Sequence, residues 1–356
     1  TTGAGKTSLL RHLIGSNRDR VRFPPTSTEK PTVSDIEVIP AEGAFRAAVT
    51  FFSEHAIRAN VEDCLLAAGS AVWDAMPDDK VADKLLHHAD QRFRLSYILG
   101  AWNDTSDSVD DDDWDFGSAA SPPAKLASDD REAVPPQDAI DLQAKLRRYV
   151  DRIRAVATEK ANAIKEELLP DPSTAQAEDL QAALEIFQGE LLDDDAFRDL
   201  VLDIMDDVQL RFERLEVGEL TRRGKSASWP ILWTYESNDR DEFLRQVRWF
   251  SSNYAPAFGR LLTPLVDGIR VQGPLFPVFT DRRAKVVYLD GQGLGHTPDS
   301  SSSVTTHVTE RFADVDRILL VDNAEQPIQA AAQAVLRAVA ASGNYGKLVI
   351  AFTHFD

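Results

Sequence analysis

The chain has 356 residues, of which 43% are hydrophobic, and carries a formal net charge of -19. That is ample material for a buried core, and the length suggests two domains or one domain with a large insertion. The acidic surface makes non-specific nucleic-acid binding and a general attraction to anionic lipid unfavourable. A single cysteine, Cys64, leaves no disulfide and no cysteine-built metal site within the chain. This fits a reducing, cytoplasmic setting, with peripheral membrane association left open. No apolar run approaches the length of a membrane span.

In chain order, Thr1-Thr2-Gly3-Ala4-Gly5-Lys6-Thr7-Ser8 comes first. It matches most of the phosphate-binding pattern G-x-x-x-x-G-K-[ST]. The opening glycine of that pattern would stand one residue before Thr1, so the expectation is that the chain is a segment of something longer. Glycines let the backbone close around phosphates with N–H groups aimed at their oxygens. Lys6 can reach β- and γ-phosphates, and the Thr7 hydroxyl can ligate Mg²⁺. A helix should begin here with its positive end toward the anion. Leu9, Leu10, Leu13 and Ile14 give it an apolar stripe.

A polar, Pro-containing stretch follows, holding Thr26, Thr28 and Thr32. Val33–Ile39 and Phe45–Phe52 read as strands around a turn near Glu42-Gly43, the second with period-two alternation. From Glu54 the pattern turns helical to about Gly100. Asp104–Asp115, with four consecutive aspartates at Asp110–Asp113, and the Ser/Pro/Ala run to Pro136 read as a solvated acidic linker. Asp138–Leu169 is a long amphipathic helix, with Leu142, Leu146, Tyr149, Val150, Ile153 and Val156 three and four apart. Ala177–Leu191 and Asp195–Val217 form a second helical pair.

Near Trp229 the composition returns to mixed α/β. Arg240–Tyr254 reads as a helix, and Gly268–Gly273 and Lys285–Leu289 as strands joined by a hairpin. Asp290-Gly291-Gln292-Gly293 then gives D-x-x-G at a strand end, where an Asp can anchor Mg²⁺ and the Gly can bring a backbone N–H to the γ-phosphate. Asp322, after the buried-strand run Arg317–Val321, is a rival without the glycine. A helix is bracketed by Pro327 and Gly343. Leu348–Phe352 is the last strand, leading into Thr353-His354-Phe355-Asp356.

The set resembles the GTPase domains of the dynamin-like superfamily. Gly5-Lys6-Thr7-Ser8 is similar to their P-loop end, Thr28-Glu29-Lys30-Pro31 to their switch segment, Asp290–Gly293 before Leu294 to their D-x-x-G, and Thr353–Asp356 to their [NT]-K-x-D. The resemblance implies GTP/GDP and Mg²⁺ as ligands and GTP hydrolysis as the activity. It assigns Lys6, Thr28 and Gly293 to catalysis, and Thr7, Thr28 and Asp290 to the metal. It assigns Gly3, Ala4, Gly5, Lys6, Thr7, Ser8, Thr353, His354 and Asp356 to the nucleotide. Thr26 and Thr32 are rivals of Thr28.

The departures are specific. Thr2 stands where dynamins carry a catalytic polar residue, typically Gln. His354 replaces the usual Lys, and Leu294 cannot orient a water. The resemblance therefore implies slow turnover until a partner or a nucleotide-dependent homodimer completes the site; membrane association follows from the family alone. His296 reads as structural.

The expected architecture is α/β, a P-loop NTPase (G-domain-like) with a mainly parallel sheet flanked by helices and interrupted by a large α-helical insertion. The expected parts are 1–53, an insertion over 54–228 containing the acidic linker at about 104–136, and 229–356. The competing readings are a P-loop ATPase and a nucleotide-binding scaffold with little turnover.

Overall fold

The structure is a computed structural model, and it describes residues 5–16, 23–24, 35–88, 93–102, 133–169, 176–223, 228–290, 306–325 and 327–353. The chain divides into two units. One gathers 1–51, 217–253 and 266–356; the other gathers 52–216 and 254–265.

The first unit opens with helix α1 (Lys6–Leu13), then strands β1 (Asp35–Pro40) and β2 (Phe45–Phe51). It resumes with β3 (Glu219–Arg222), β4 (Pro230–Ser237), α8 (Arg240–Ser251) and β5 (Val266–Gly273). The last elements are β6 (Tyr288–Asp290), α9 (Thr306–Asp314), β7 (Ile318–Asn323), α10 (Ala330–Ala341) and β8 (Leu348–Thr353). Six strands form one sheet in the order β3-β4-β2-β5-β1-β6, and β7 and β8 form a second.

The expectation of a P-loop NTPase (G-domain-like) architecture with a mainly parallel sheet is overturned. Within the six-stranded sheet only β1 and β5 run parallel; β3–β4, β4–β2, β2–β5 and β1–β6 are antiparallel. Parallel neighbours need a long crossover, whereas only Ala41–Ala44 separates β1 from β2. That short turn reverses the chain, so β2 must oppose β1 and therefore oppose β5, which lies between them. The burial of β2 alternates accordingly, with Phe45, Ala47, Val49 and Phe51 inward. Among the described residues the other parallel pair is β7 with β8, from Ile318↔Leu348 to Asn323↔Thr353.

The expected hairpin between the strands at 268–273 and 285–289 is also corrected. β5 and β6 both pair with β1, on its opposite sides. The strand β3 lies in the sheet unit, although the sequence reading assigned residues up to 228 to the helical insertion.

Helix α8 packs its buried Phe243, Leu244, Val247 and Phe250 on β2 and β4. Ring centroids lie 5.4 Å apart for Phe45 and Phe243, and 4.6 Å apart for Trp233 and Phe250. Under β7, a smaller core joins Phe312, Leu320, Ala332, Val335 and Val339.

The second unit is helical: α2 (Glu54–Trp73), α3 (Asp78–Leu86), α4 (Ser96–Leu99), α5 (Pro136–Leu168), α6 (Ala177–Asp193) and α7 (Asp195–Glu213). Its core holds Ile57, Val61, Cys64 and Leu65 of α2, Leu146, Val150 and Ile153 of the α5 stripe, and Phe187 and Leu191 of α6, whereas Leu180, on the same helical spacing in α6, is 43% exposed. Side-chain caps start two of its helices. Ser53 accepts from Ala56 N at 3.2 Å, and Asp194 accepts from Ala196 N at 2.9 Å. Among the described residues no helix is long and apolar enough to cross a membrane.

Candidate nucleotide site

Helix α1 begins directly after Gly5, whose φ of 75° and ψ of 17° lie in the left-handed region. A side chain there is strained, so glycine suits the sharp entry into the helix. The first-turn N–H groups of an α-helix have no partner within it and carry the positive end of its dipole. Lys6, Thr7 and Ser8 form that first turn.

The other end of α1 is held firmly. Arg11 Nε donates to the Pro24 carbonyl at 2.8 Å. Ser16 Oγ accepts from Phe23 N at 2.8 Å and from Arg240 at 3.1 Å. A Cβ on Gly15 would lie 2.1 Å from the Phe276 carbonyl oxygen, so the backbone approaches more closely there than any other residue allows. The sequence reading gave Ser16 and Arg240 no role; no local pattern links positions so far apart.

Two strand ends meet the start of α1. Asp290 closes β6, which pairs with β1 through Ile36. Burial pushes the Lys6 ammonium below its ordinary pKa, while the charge of Asp290 acts in the opposite direction. The half-buried lysine thus lies within electrostatic reach of the Asp290 carboxylate. Thr353 closes β8 and lies against Gly5: a Cβ on that glycine would meet Thr353 Oγ1 and Cγ2 at 3.5 Å. Thr353 Oγ1 donates to the Asp322 carbonyl at 3.2 Å, and its carbonyl accepts from Ala324 N at 2.8 Å. The loop after β7 is thereby tied to the end of β8.

Asp322, the sequence-level rival of Asp290, is 1% exposed and accepts from Ile328 N at 2.5 Å. Ile328 has a φ of 56°, unusual for a β-branched residue, and this hydrogen bond fixes the turn before α10. Asp322 thus has a structural task in the β7–α10 loop.

Of the expected site, Gly5, Lys6, Thr7, Ser8, Asp290 and Thr353 are described, and Gly5, Lys6, Asp290 and Thr353 are brought together. Gly3, Ala4, Thr26, Thr28, Thr32, Gly293, His296, His354 and Asp356 lie outside the described residues. Among the described residues no three His, Cys, Asp or Glu side chains cluster as a metal site. A magnesium ion bound with a nucleotide needs no such cluster, because phosphate oxygens and water fill most of its positions. A Thr7 hydroxyl and an Asp290 carboxylate are hard oxygen donors of the appropriate kind.

The chain matches no family model, no curated protein and no solved structure.

Proposed function

We infer that this chain binds a guanine nucleoside triphosphate with Mg²⁺ at the start of α1 and hydrolyses it to the diphosphate and phosphate. One observation carries the reading: Gly5 and Lys6, from the start of the chain, share a locality with Asp290 and Thr353 from its far end. An ordinary glycine-lysine turn has no reason to collect a strand-end carboxylate and the first residue of a T-x-x-D run.

In this reading the first-turn N–H groups and Lys6 hold the β- and γ-phosphates. The Thr7 hydroxyl binds the metal directly and Asp290 anchors it through water. Magnesium supplies charge neutralisation on the transferred phosphoryl group when it is bound. Thr28 and Gly293 sense the γ-phosphate, and Asp356 reads the guanine N1–H and amine. The switch segments would order around the γ-phosphate and relax after its loss, which makes the hydrolysis a conformational signal.

The test is competition binding of GDP, ADP and XDP with the chain, followed by phosphate release from GTP. Guanine preference with slow turnover is expected. Preference for ADP would replace the reading with an ATPase. Guanine binding without any phosphate release would leave a nucleotide-dependent scaffold.

A further inference from the structure

Residues 274–287, between β5 and β6, contain no regular element. A connection of that length in a compact domain commonly carries a function. Its tip exposes Val278 and Phe279, 68% and 67% accessible, among the most exposed large apolar residues described. Immediately after them come Arg282, Arg283 and Lys285, against a single acid, Asp281. In a chain of net charge -19 this is a local reversal of sign.

The loop is anchored at its root. Leu275 is 1% exposed, and the Phe276 carbonyl lies against Gly15. The Arg283 guanidinium stacks 4.8 Å from the Phe276 ring and pairs with Glu42. Arg282 and Lys285 are exposed and make no ion pair among the described residues. An anchored loop thus presents an apolar tip beside two exposed cations.

We propose that this loop is a docking site for an acidic peptide segment that carries an aromatic side chain. The two cations would receive carboxylates, and Val278 and Phe279 would pack on the aromatic ring. An anionic bilayer fits less well. Only two apolar residues would enter it, and a flat negative surface would repel the rest of the chain. A peptide narrow enough to meet only the loop escapes that repulsion, since screening limits it to about 8 Å at physiological salt.

The chain itself supplies a probe of this chemistry, the run Ser108–Ser118 with Asp110–Asp113, Trp114 and Phe116. A labelled synthetic peptide of that sequence would be titrated, by fluorescence anisotropy, into the chain bearing Asp110–Asp113→Ser, so that its own tract cannot compete. Binding is expected. It should weaken at least tenfold in Arg282→Glu/Lys285→Glu, at least tenfold in Phe279→Ser, and markedly when salt is raised from low to physiological strength. Arg282, Lys285 and Phe279 are exposed, and circular dichroism would confirm that the variants fold. No peptide binding, or binding that both loop variants retain, overturns the proposal. Loop-dependent binding to phosphatidylserine-containing vesicles without peptide binding would overturn it in favour of a membrane surface. None of these outcomes depends on nucleotide, so failure here is distinguishable from failure of the GTPase reading.

Discussion

In the helical unit, several polar groups answer one another across the packed helices. Tyr149 Oη and Lys145 Nζ both donate to the buried Asp207 carboxylate, at 2.7 and 2.6 Å. Lys165 Nζ donates to the Trp73 carbonyl at 2.6 Å while lying 4.4 Å over its ring. Exposed apolar side chains occur in both units, Ile186 and Leu210 in the helical one as much as Leu319 and Val349 in the sheet unit. The sheet unit differs in where its candidate groups stand. Its chemistry-bearing residues Lys6, Asp290 and Thr353 stand at element ends. The contrast teaches where to look for function. Polar groups that answer one another inside a packed unit contribute to its stability, whereas strand and helix ends that gather dissimilar groups are candidates for binding.

The largest expected effect breaks the helical unit alone. Phe187 is fully buried, with its ring centroid 4.9 Å from that of Trp73. Phe187→Ala should cost about 4 kcal/mol of stability through lost burial and the cavity left behind. Chemical denaturation would measure it, and nucleotide affinity should stay within about twofold of the parent. A large loss of affinity would show that the two units do not divide the labour as described.

The complementary variant is Lys6→Ala. It should lower nucleotide affinity at least a hundredfold, about 2.8 kcal/mol, without destabilising the fold. Burial depresses the Lys6 pKa, so the folded state disfavours its charge at neutral pH. Stability held back by that charge returns as pH rises through the depressed folded value toward 10.5. Lys6→Met should therefore be as stable as the parent or slightly more stable at pH 7, and should lose that rise. Unchanged affinity in either variant would remove the central claim.

Asp207→Ala tests the internal network. Lys145 can turn to water and Tyr149 Oη retains the Asp203 carbonyl as an acceptor at 3.3 Å, so the main cost is the lost hydrogen bond to a charged carboxylate, about 2 kcal/mol. Burial first, and then the hydrogen bond to Asp207, push the Tyr149 phenol well above its ordinary pKa. In the variant the phenol should ionise at lower pH, as ultraviolet titration would register. No change in the titration would mean that Asp207 is not its partner.

The smallest effect concerns Cys64, which is fully buried on α2. Burial pushes its thiol up from 9.0 to about 12. The unfolded chain releases that proton above pH 9 while the folded chain retains it, so stability present at lower pH is lost as pH rises. At pH 10 the loss should be about 1.4 kcal/mol. Cys64→Ala should show a shallower decline over pH 9–12, and an identical slope would mean that the thiol is accessible in the fold.

Much of the helical unit was legible in sequence because its information is local. Spacings of three and four put Leu146, Val150 and Ile153 on one face of α5, and the structure buries them together. The long helix, expected over Asp138–Leu169, runs from Pro136 to Leu168. The sheet was less legible. Neither β3 nor β4 was named as a strand, and the sheet's predominant direction was misjudged. β2 already displayed the alternation of an antiparallel strand, but the expectation of a parallel sheet came from motif order and took no account of the short turn before it.

The sequence by itself determined the candidate residues for phosphate and metal, because G-K-T and D-x-x-G are contiguous runs. It determined the helical stripes for the same local reason. Only the tertiary structure decided that β5 separates β1 from β2 and that Thr353 comes to rest against Gly5. Those pairings join residues far apart in the chain. They are selected by the packing of the whole sheet unit, through backbone hydrogen bonds that any sequence can offer, so no single segment encodes them.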